Sequence, residues 1–350
     1  MQRCDLHGRT SSQGLARICA AAGGSALFYC IQFIRNSCPD PASASAHRLY
    51  GPVHNALRSL GGGVFDPARH RPAETIMDVK PVSLMAAAML AAISAAPAAA
   101  DGLASHKAVY DLLPGPMSGQ TPYDGVEGLV TRSVERTCDG WIVAEHMVMR
   151  VLTRVGGVID REIRFTSWEA LNGTRYRFAA TIKSKAGDED KKLNGRLEVP
   201  REGAAGEAVY AEPPGKKVKL PEGTYLPVGN VRQLLAAARA GDKQVQFHVF
   251  DGTEENGPEL MSSVITARLK AGEGKGMRTS WGPMGTGPGW RVSSAFFEIQ
   301  GDQPPSTPSF QLTMEILDNG VPRHMEMDIG GFIIVQALKE IQPLPEPQCG

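Results

Sequence analysis

The most regular pattern in the chain is an alternation of apolar and polar residues that turn dipeptides interrupt. Residues 136–152, RTCDGWIVAEHMVMRVL, alternate after Asp139-Gly140. Residues 162–182 and 310–329 repeat this arrangement around Asn172-Gly173 and Asn319-Gly320. Period-2 alternation predicts half-buried strands, and these dipeptides between two such runs predict hairpins. The sequence therefore predicts an all-β protein whose antiparallel sheet closes like a sandwich or a barrel.

One segment, GNVRQLLAAARAGD at residues 229–242, has a helical period. Its apolar residues recur at i, i+3, i+4 and i+7, from Val231 to Ala238. Asn230 is predicted to cap the helix start, and Gly241 is predicted to end it in the left-handed conformation. Two placements are open: a plug in an open sheet, or a helix packed against the sheet as part of the core. The second is favoured because the helix is amphipathic.

A second type of pattern occupies Met77 to Gly102, MDVKPVSLMAAAMLAAISAAPAAADG. Basic Lys80 precedes an apolar run over residues 82–93, and Pro97 is followed by three alanines. This order predicts a secretory signal peptide over residues 77–100, cleaved between Ala100 and Asp101. The alternatives are a buried Ala-rich helix or a transmembrane span, but the apolar run is shorter than the roughly 20 residues that a span needs.

Residues 1–76 show no sustained period of 2 or 3.6, so they offer no face to bury. We expect this segment to be unstructured and absent from the natural product, with the true start at Met77. The alternative is a disordered natural extension. The mature chain is then residues 101–350, which we expect to form a single β-rich domain.

Charge and cysteine content change when residues 1–100 are set aside. They hold nine of the 37 basic and five of the 37 acidic residues, which leaves a formal charge of −4 on residues 101–350. This balance argues against nucleic acid as a partner. Four of the six cysteines also fall in residues 1–100, which leaves Cys138 and Cys349. An exported protein with two cysteines normally joins them in a disulfide; two free thiols are the alternative.

Several segments together resemble a known family, the periplasmic cell-envelope integrity proteins of the EipB type. The segments occur in the family's order and run from about His106 to Cys349. They are HKAVYDL at 106–112, CDGW at 138–141, TSWEALNGTRYRF at 166–178, PEGTYLP at 221–227, LLAAARAG at 234–241, VFDG at 249–252 and NGVPRHMEMDIGGF at 319–332, followed by the terminal cysteine.

The resemblance implies a long antiparallel sheet curled into a spiral or bowl, an open barrel with the short helix in its concavity. It also implies a Cys138–Cys349 disulfide, a periplasmic location, a role in envelope integrity and stress resistance, and a periplasmic partner of the tetratricopeptide-repeat type. Asn230 departs from the family pattern, which is expected to have histidine there.

No catalytic, cofactor or metal motif is found in residues 101–350. The four histidines, His106, His146, His248 and His324, have none of the spacings of a zinc site, and no GxSxG elbow is present. The favoured function is a non-enzymatic periplasmic binding or scaffold protein that holds an apolar or amphipathic ligand, such as a lipid, an envelope component or a peptide, in a concave sheet. The alternative is a peptidoglycan hydrolase, whose mark would be carboxylates or a histidine pair that converge in one cleft.

Overall fold

A computed structural model describes residues 102–117, 121–184, 190–253, 255–299 and 306–350. These residues form one 15-stranded sheet that is nearly closed into a barrel. The strands are β1 (His106–Pro114), β2 (Tyr123–Arg136), β3 (Gly140–Thr153), β4 (Val158–Ala170), β5 (Arg175–Ser184), β6 (Lys191–Glu198), β7 (Gly206–Glu212), β8 (Lys217–Leu220), β9 (Thr224–Tyr225), β10 (Gln244–Val249), β11 (Glu259–Leu269), β12 (Gly289–Glu298), β13 (Phe310–Leu317), β14 (Pro322–Ile329) and β15 (Phe332–Pro343).

The order of the strands across the sheet is β8-β7-β6-β5-β4-β3-β2-β1-β15-β14-β13-β12-β11-β10-β9. Sheet neighbours are therefore neighbours in sequence, except where β1 pairs with β15. That pair is antiparallel, with His106 opposite Pro343. The short β9 runs parallel to β10, and the other pairs are antiparallel. The predicted all-β class and the curled antiparallel sheet are confirmed.

The inner face of the sheet carries the core, because alternate residues of each long strand are buried. On β4, for example, Ile163 and Phe165 have exposed fractions of 0% and 4%, while the intervening Arg164 is exposed. The predicted hairpin dipeptides join β4 to β5 and β13 to β14. Gly173 and Gly320 adopt φ values of 65° and 83° there, which glycine reaches without strain.

Helix α1 spans Pro227–Ala240 and packs on the inner face of β11, β12 and β13. Leu234, Leu235 and Ala238 contact Ile265, Val292 and Ile316 in a buried apolar cluster. The predicted end is correct, since Gly241 has φ 90° and its N–H donates to carbonyls of the last turn. The predicted start is wrong. The first helical residue of α1 is Pro227, four residues before the predicted Val231, and the fixed φ of proline suits this position.

A second helix, α2 (Gly282–Thr286), follows a 3₁₀ turn at Thr279–Trp281 and was not predicted. Trp281 is buried, and its indole N–H donates to the carbonyl of Lys339 on β15 at 3.0 Å. This contact holds the glycine-rich segment against the sheet. In the described part of the chain, no helix has the length and apolar character needed to span a bilayer.

The two cysteines of residues 101–350 are joined to each other. Cys138, in the turn between β2 and β3, forms a disulfide with Cys349, and their Cα atoms are 5.5 Å apart. This bond fastens the tail after β15 to a hairpin. The unstructured segment predicted for residues 1–76, the signal peptide of residues 77–100 and the cleavage point between Ala100 and Asp101 lie outside the described residues.

Candidate functional site

A cavity of about 100 Å³ lies between the N-terminal half of α1 and the concave face of the sheet. Most of its lining is apolar and comes from both halves of the sheet, with Val134 and Val143 on one side and Met261, Phe296 and Met314 on the other. Apolar cavities of this kind bind apolar groups, as an engineered cavity of about 150 Å³ binds benzene. The cavity can thus hold an apolar group of a few carbons.

Methionine is prominent in this lining. Met261, Met314 and Met325 belong to three different strands, and all three face the cavity. Methionine side chains are flexible and polarizable, so they adapt to occupants of different shape. The wall built by β11, β13 and β14 is therefore the adaptable side of the cavity.

His106, the first residue of β1, supplies a polar group to the opposite wall. Its Nδ1 lies 2.7 Å from the carbonyl oxygen of Ala104, which can only accept, so Nδ1 carries the hydrogen. Nε2 is then an acceptor, and it is buried without a hydrogen-bond partner among the described residues. Burial lowers the pKa of His106 from 6.5 to about 4, against the raising effect of the hydrogen bond to Ala104, and the Arg132 charge contributes to the decrease. His106 is accordingly neutral at pH 7.

Arg132 also lines the cavity, and its charge is already matched. Its guanidinium donates to the Glu145 carboxylate at 2.6 Å, and both side chains are almost fully buried. The Tyr110 ring lies 5.8 Å from the guanidinium carbon. Removing one member of such a buried pair leaves an uncompensated charge, which costs about 3–5 kcal/mol. The wall around His106 is polar but carries no net charge.

Glu169, at the end of β4, holds the start of α1 beside the cavity. Its two carboxylate oxygens accept hydrogen bonds from the backbone N–H groups of Val228 at 2.8 Å and Gly229 at 2.9 Å. These are two of the N–H groups that a helix start leaves unpaired. Burial raises the pKa of Glu169 from 4.5 to about 7, against the effect of these hydrogen bonds. The helix is thus capped from a distant strand.

Two neighbours complete this anchor. The guanidinium of Arg232 donates to the carbonyl of Leu171 at 2.9 Å and pairs with the carboxylate of Glu202. Gly229 packs so closely on these carboxylates that a Cβ there would lie 2.6 Å from Glu202 and 3.3 Å from Glu169. A side chain at this position would push the Glu202 carboxylate away from its present place beside Arg232.

The structure places several residues of the sequence analysis in other roles than those expected. Asn230 does not cap α1; it lies in the first turn and lines the cavity. His146 and His324 pair with Glu162 and Glu326, each at 2.9 Å. Within the described ranges, no group of three or more potential metal ligands converges. The two disulfide cysteines do not line the cavity.

Sequence reasoning missed the charged residues of the inner face. On β2, Arg132 lies between Val130 and Val134 in the series of alternate residues that point inward. Glu145 belongs to the corresponding inward-pointing series on β3. A charge at an inward position is the signal that could have found them, because buried charges are rare unless paired. The two residues face each other directly across the β2–β3 ladder.

A separate cluster of carboxyl groups lies where β10, β11 and the end of β12 meet. Glu259 faces inward with an exposed fraction of 4%, and neither of its carboxylate oxygens has a hydrogen-bond partner in the described part of the chain. Burial raises its pKa well above 4.5, and the nearby charges of Asp251 and Glu298 raise it further. The cavity under α1 is not lined by this cluster.

Comparisons with known proteins agree with one another. A family model described as EipB-like matches residues 97–345. The cell envelope integrity protein EipB of Brucella abortus (strain 2308) is 25% identical over 253 residues, which cover 68% of this chain and 84% of that protein. A crystal structure from Brucella abortus, of a β-barrel-like protein of the domain of unknown function DUF1849, has a TM-score of 0.61 and 21% identity. The match covers 69% of this chain and 99% of that one, and it supports the fold.

Proposed function

The chain belongs to the EipB-like family, and on that premise we propose that it is a periplasmic binding protein that supports the integrity of the cell envelope. It acts without catalysis and holds an apolar or amphipathic ligand on the concave side of its sheet. The observation that carries this proposal is the apolar cavity beneath α1, whose polar wall is charge-balanced by Arg132 and Glu145.

The periplasmic location rests on three supports. The relative in Brucella is named for the cell envelope. Residues 77–100 have the pattern of a signal peptide. The Cys138–Cys349 disulfide suits an oxidising compartment. In this proposal the working protein is residues 101–350, and residues 1–76 are not part of the natural product.

An intact mass of the protein recovered from its native envelope tests the location. We expect the mass of residues 101–350, with both cysteines resistant to alkylation until a reductant is added. A mass that retains residues 1–76, with thiols that react at once, would contradict both the signal peptide and the compartment.

The partners follow from the same premise. A lipid or another envelope component is the proposed occupant of the cavity. A periplasmic protein of the tetratricopeptide-repeat type is a proposed partner that rests on the family resemblance. Nucleic acid is not proposed, because residues 101–350 carry a formal charge of −4.

A matched pair of valine substitutions tests whether the cavity is needed. Val134→Phe places a ring in the cavity, whereas Val148→Phe makes the same change on β3, where Val148 is 51% exposed. Each variant is expressed in a strain from which the gene has been deleted, and the survival of the cells in a bile-salt detergent is measured. We expect Val148→Phe to restore survival and Val134→Phe to fail, with similar folding by circular dichroism. Equal rescue by two folded variants would show that the cavity is dispensable.

The hydrolase alternative is favoured by one observation, the Glu259 cluster. A buried carboxyl with a raised pKa beside two further carboxylates is the arrangement of a general acid. The test is the release of soluble fragments from purified peptidoglycan by the full chain, compared with Glu259→Gln. Release that this substitution abolishes would establish the hydrolase. No release from either protein would leave the binding function as the remaining proposal.

A further inference from the structure

The polar wall of the cavity contains one buried group whose hydrogen-bonding capacity is unmet. It is Nε2 of His106, an acceptor whose ring is fixed by the bond from Nδ1 to Ala104. The side chain of Asn230, a residue that is 7% exposed, lines the same cavity. Buried polar groups are normally paired, so the free acceptor of His106 points to a donor that completes it.

The electrostatics of the wall restrict what that group can be. The charge of Arg132 is neutralised by its ion pair with Glu145, and both side chains are buried. The fixed tautomer of His106 carries no charge. A carboxylate or an ammonium group placed here would therefore be a third, unmatched charge. Burying an unpaired charge is far more costly than burying a neutral hydroxyl that makes a hydrogen bond. The wall thus selects against ionised groups.

This inference rests on the proposed function and names its ligand class. We propose that the cavity binds an uncharged amphiphile, whose hydroxyl or amide N–H donates to Nε2 of His106 while its apolar carbons lie against Met261, Met314 and Met325. The amide of Asn230 bonds the same polar group. Since the volume is about 100 Å³, the cavity accommodates the polar end and a few carbons of the ligand. His106 is then a specificity-determining residue for neutral donors.

Two isomeric probes test this inference in the wild-type protein. 1-Pentanol and butyl methyl ether contain the same atoms, but only the alcohol can donate a hydrogen bond. The full chain is labelled with ¹³C in its methionine methyl groups and titrated with each probe by NMR. Met261, Met314 and Met325 report on the cavity, and Met117, which is 44% exposed, serves as the control signal. Pentanoate and pentylammonium are titrated as charged analogues.

We expect the alcohol to shift the three cavity signals and to bind at least about fivefold more tightly than the ether. The reason is that the ether leaves the buried acceptor unpaired. The charged analogues should not shift these signals at pH 7. His106→Phe should bring the alcohol down to the affinity of the ether, whereas His146→Phe, on the outer face, should keep the difference.

Equal affinities for alcohol and ether in the wild-type protein would overturn the inference while leaving the apolar cavity as a binding site. Tighter binding of pentanoate or pentylammonium would overturn it as well. If none of the four probes shifts the cavity methionines, the cavity is not a binding site, and the proposed function fails together with the inference.

Discussion

The carboxyl of Glu169 offers the sharpest prediction, because it combines a structural role with an unusual pKa. The substitution Glu169→Gln removes the ionisable group and keeps the shape of the side chain. In the native protein, burial raises the pKa of Glu169 from 4.5 to about 7, although Val228 and Gly229 donate to its oxygens. The folded state therefore holds the proton more tightly than the unfolded state does.

The sign and size of the effect follow from linkage. A carboxyl whose folded pKa is raised contributes stability that is complete below pH 4.5 and is lost as the pH rises through 7. A difference between 4.5 and about 7 corresponds to about 3 kcal/mol. Glutamine does not titrate, so Glu169→Gln should escape this loss. The wild-type protein should therefore lose about 3 kcal/mol relative to Glu169→Gln between pH 4.5 and pH 8.

The assay is urea unfolding followed by circular dichroism at several pH values, on both proteins and on Glu135→Gln. Glu135 is exposed near the end of β2, so its substitution gives the same change in charge without the burial. We expect the Glu135→Gln profile to parallel the wild type. Parallel profiles for the wild type and Glu169→Gln would refute a raised pKa. A wild-type advantage that grows with pH would show instead that the helix start stabilises the carboxylate more than burial penalises it.

The remaining predictions concern the disulfide, the helix and the buried ion pair. Cys138→Ser should lower the free energy of unfolding under oxidising conditions, by at most about 5 kcal/mol for a loop of this length, and have little effect in reductant; equal losses in both conditions would mean that the thiols are not joined in solution. Leu234→Asp should lower the melting temperature by several degrees, because it buries an unpaired carboxylate, and an unchanged melting curve would place the apolar face of α1 in solvent. Arg132→Met should cost about 3–5 kcal/mol, measured by urea unfolding, whereas adding Glu145→Leu should recover most of that loss; additive losses would contradict the pairing.

The sequence predicts the strands and hairpins well because their signals are local. Asn172-Gly173 and Asn319-Gly320 each mark a turn whose glycine has a positive φ. The end of α1 is local too, since Gly241 ends the helix by its own conformation. The start of α1 is different. Its N–H groups bond to Glu169, 59 residues away from Val228 in sequence, so Asn230 was the wrong cap.

The candidate site depends on closure of the sheet, which the sequence does not encode locally. The pairing of Arg132 with Glu145 is within reach of sequence reasoning, because the turn at residues 137–139 places the two residues opposite each other. The placement of His106 and Asn230 on one cavity is not, since the curvature of the whole sheet sets the position of β1 relative to α1. A lone histidine on an alternating strand gives no sign of the cavity that it faces.

The pairing of β1 with β15 joins the first and last strands of the chain side by side in one continuous sheet. The start of one strand lies beside the end of the other, with His106 opposite Pro343. A short linker from β15 to β1 would therefore connect them as one more hairpin, and the chain could be reopened in the turn between β7 and β8 without losing a strand pair. Such circular permutation succeeds where chain ends are close together. Apart from β9, which runs parallel to β10, each strand would then pair antiparallel with a neighbour in the chain, and several positions of the ends would give the same sheet.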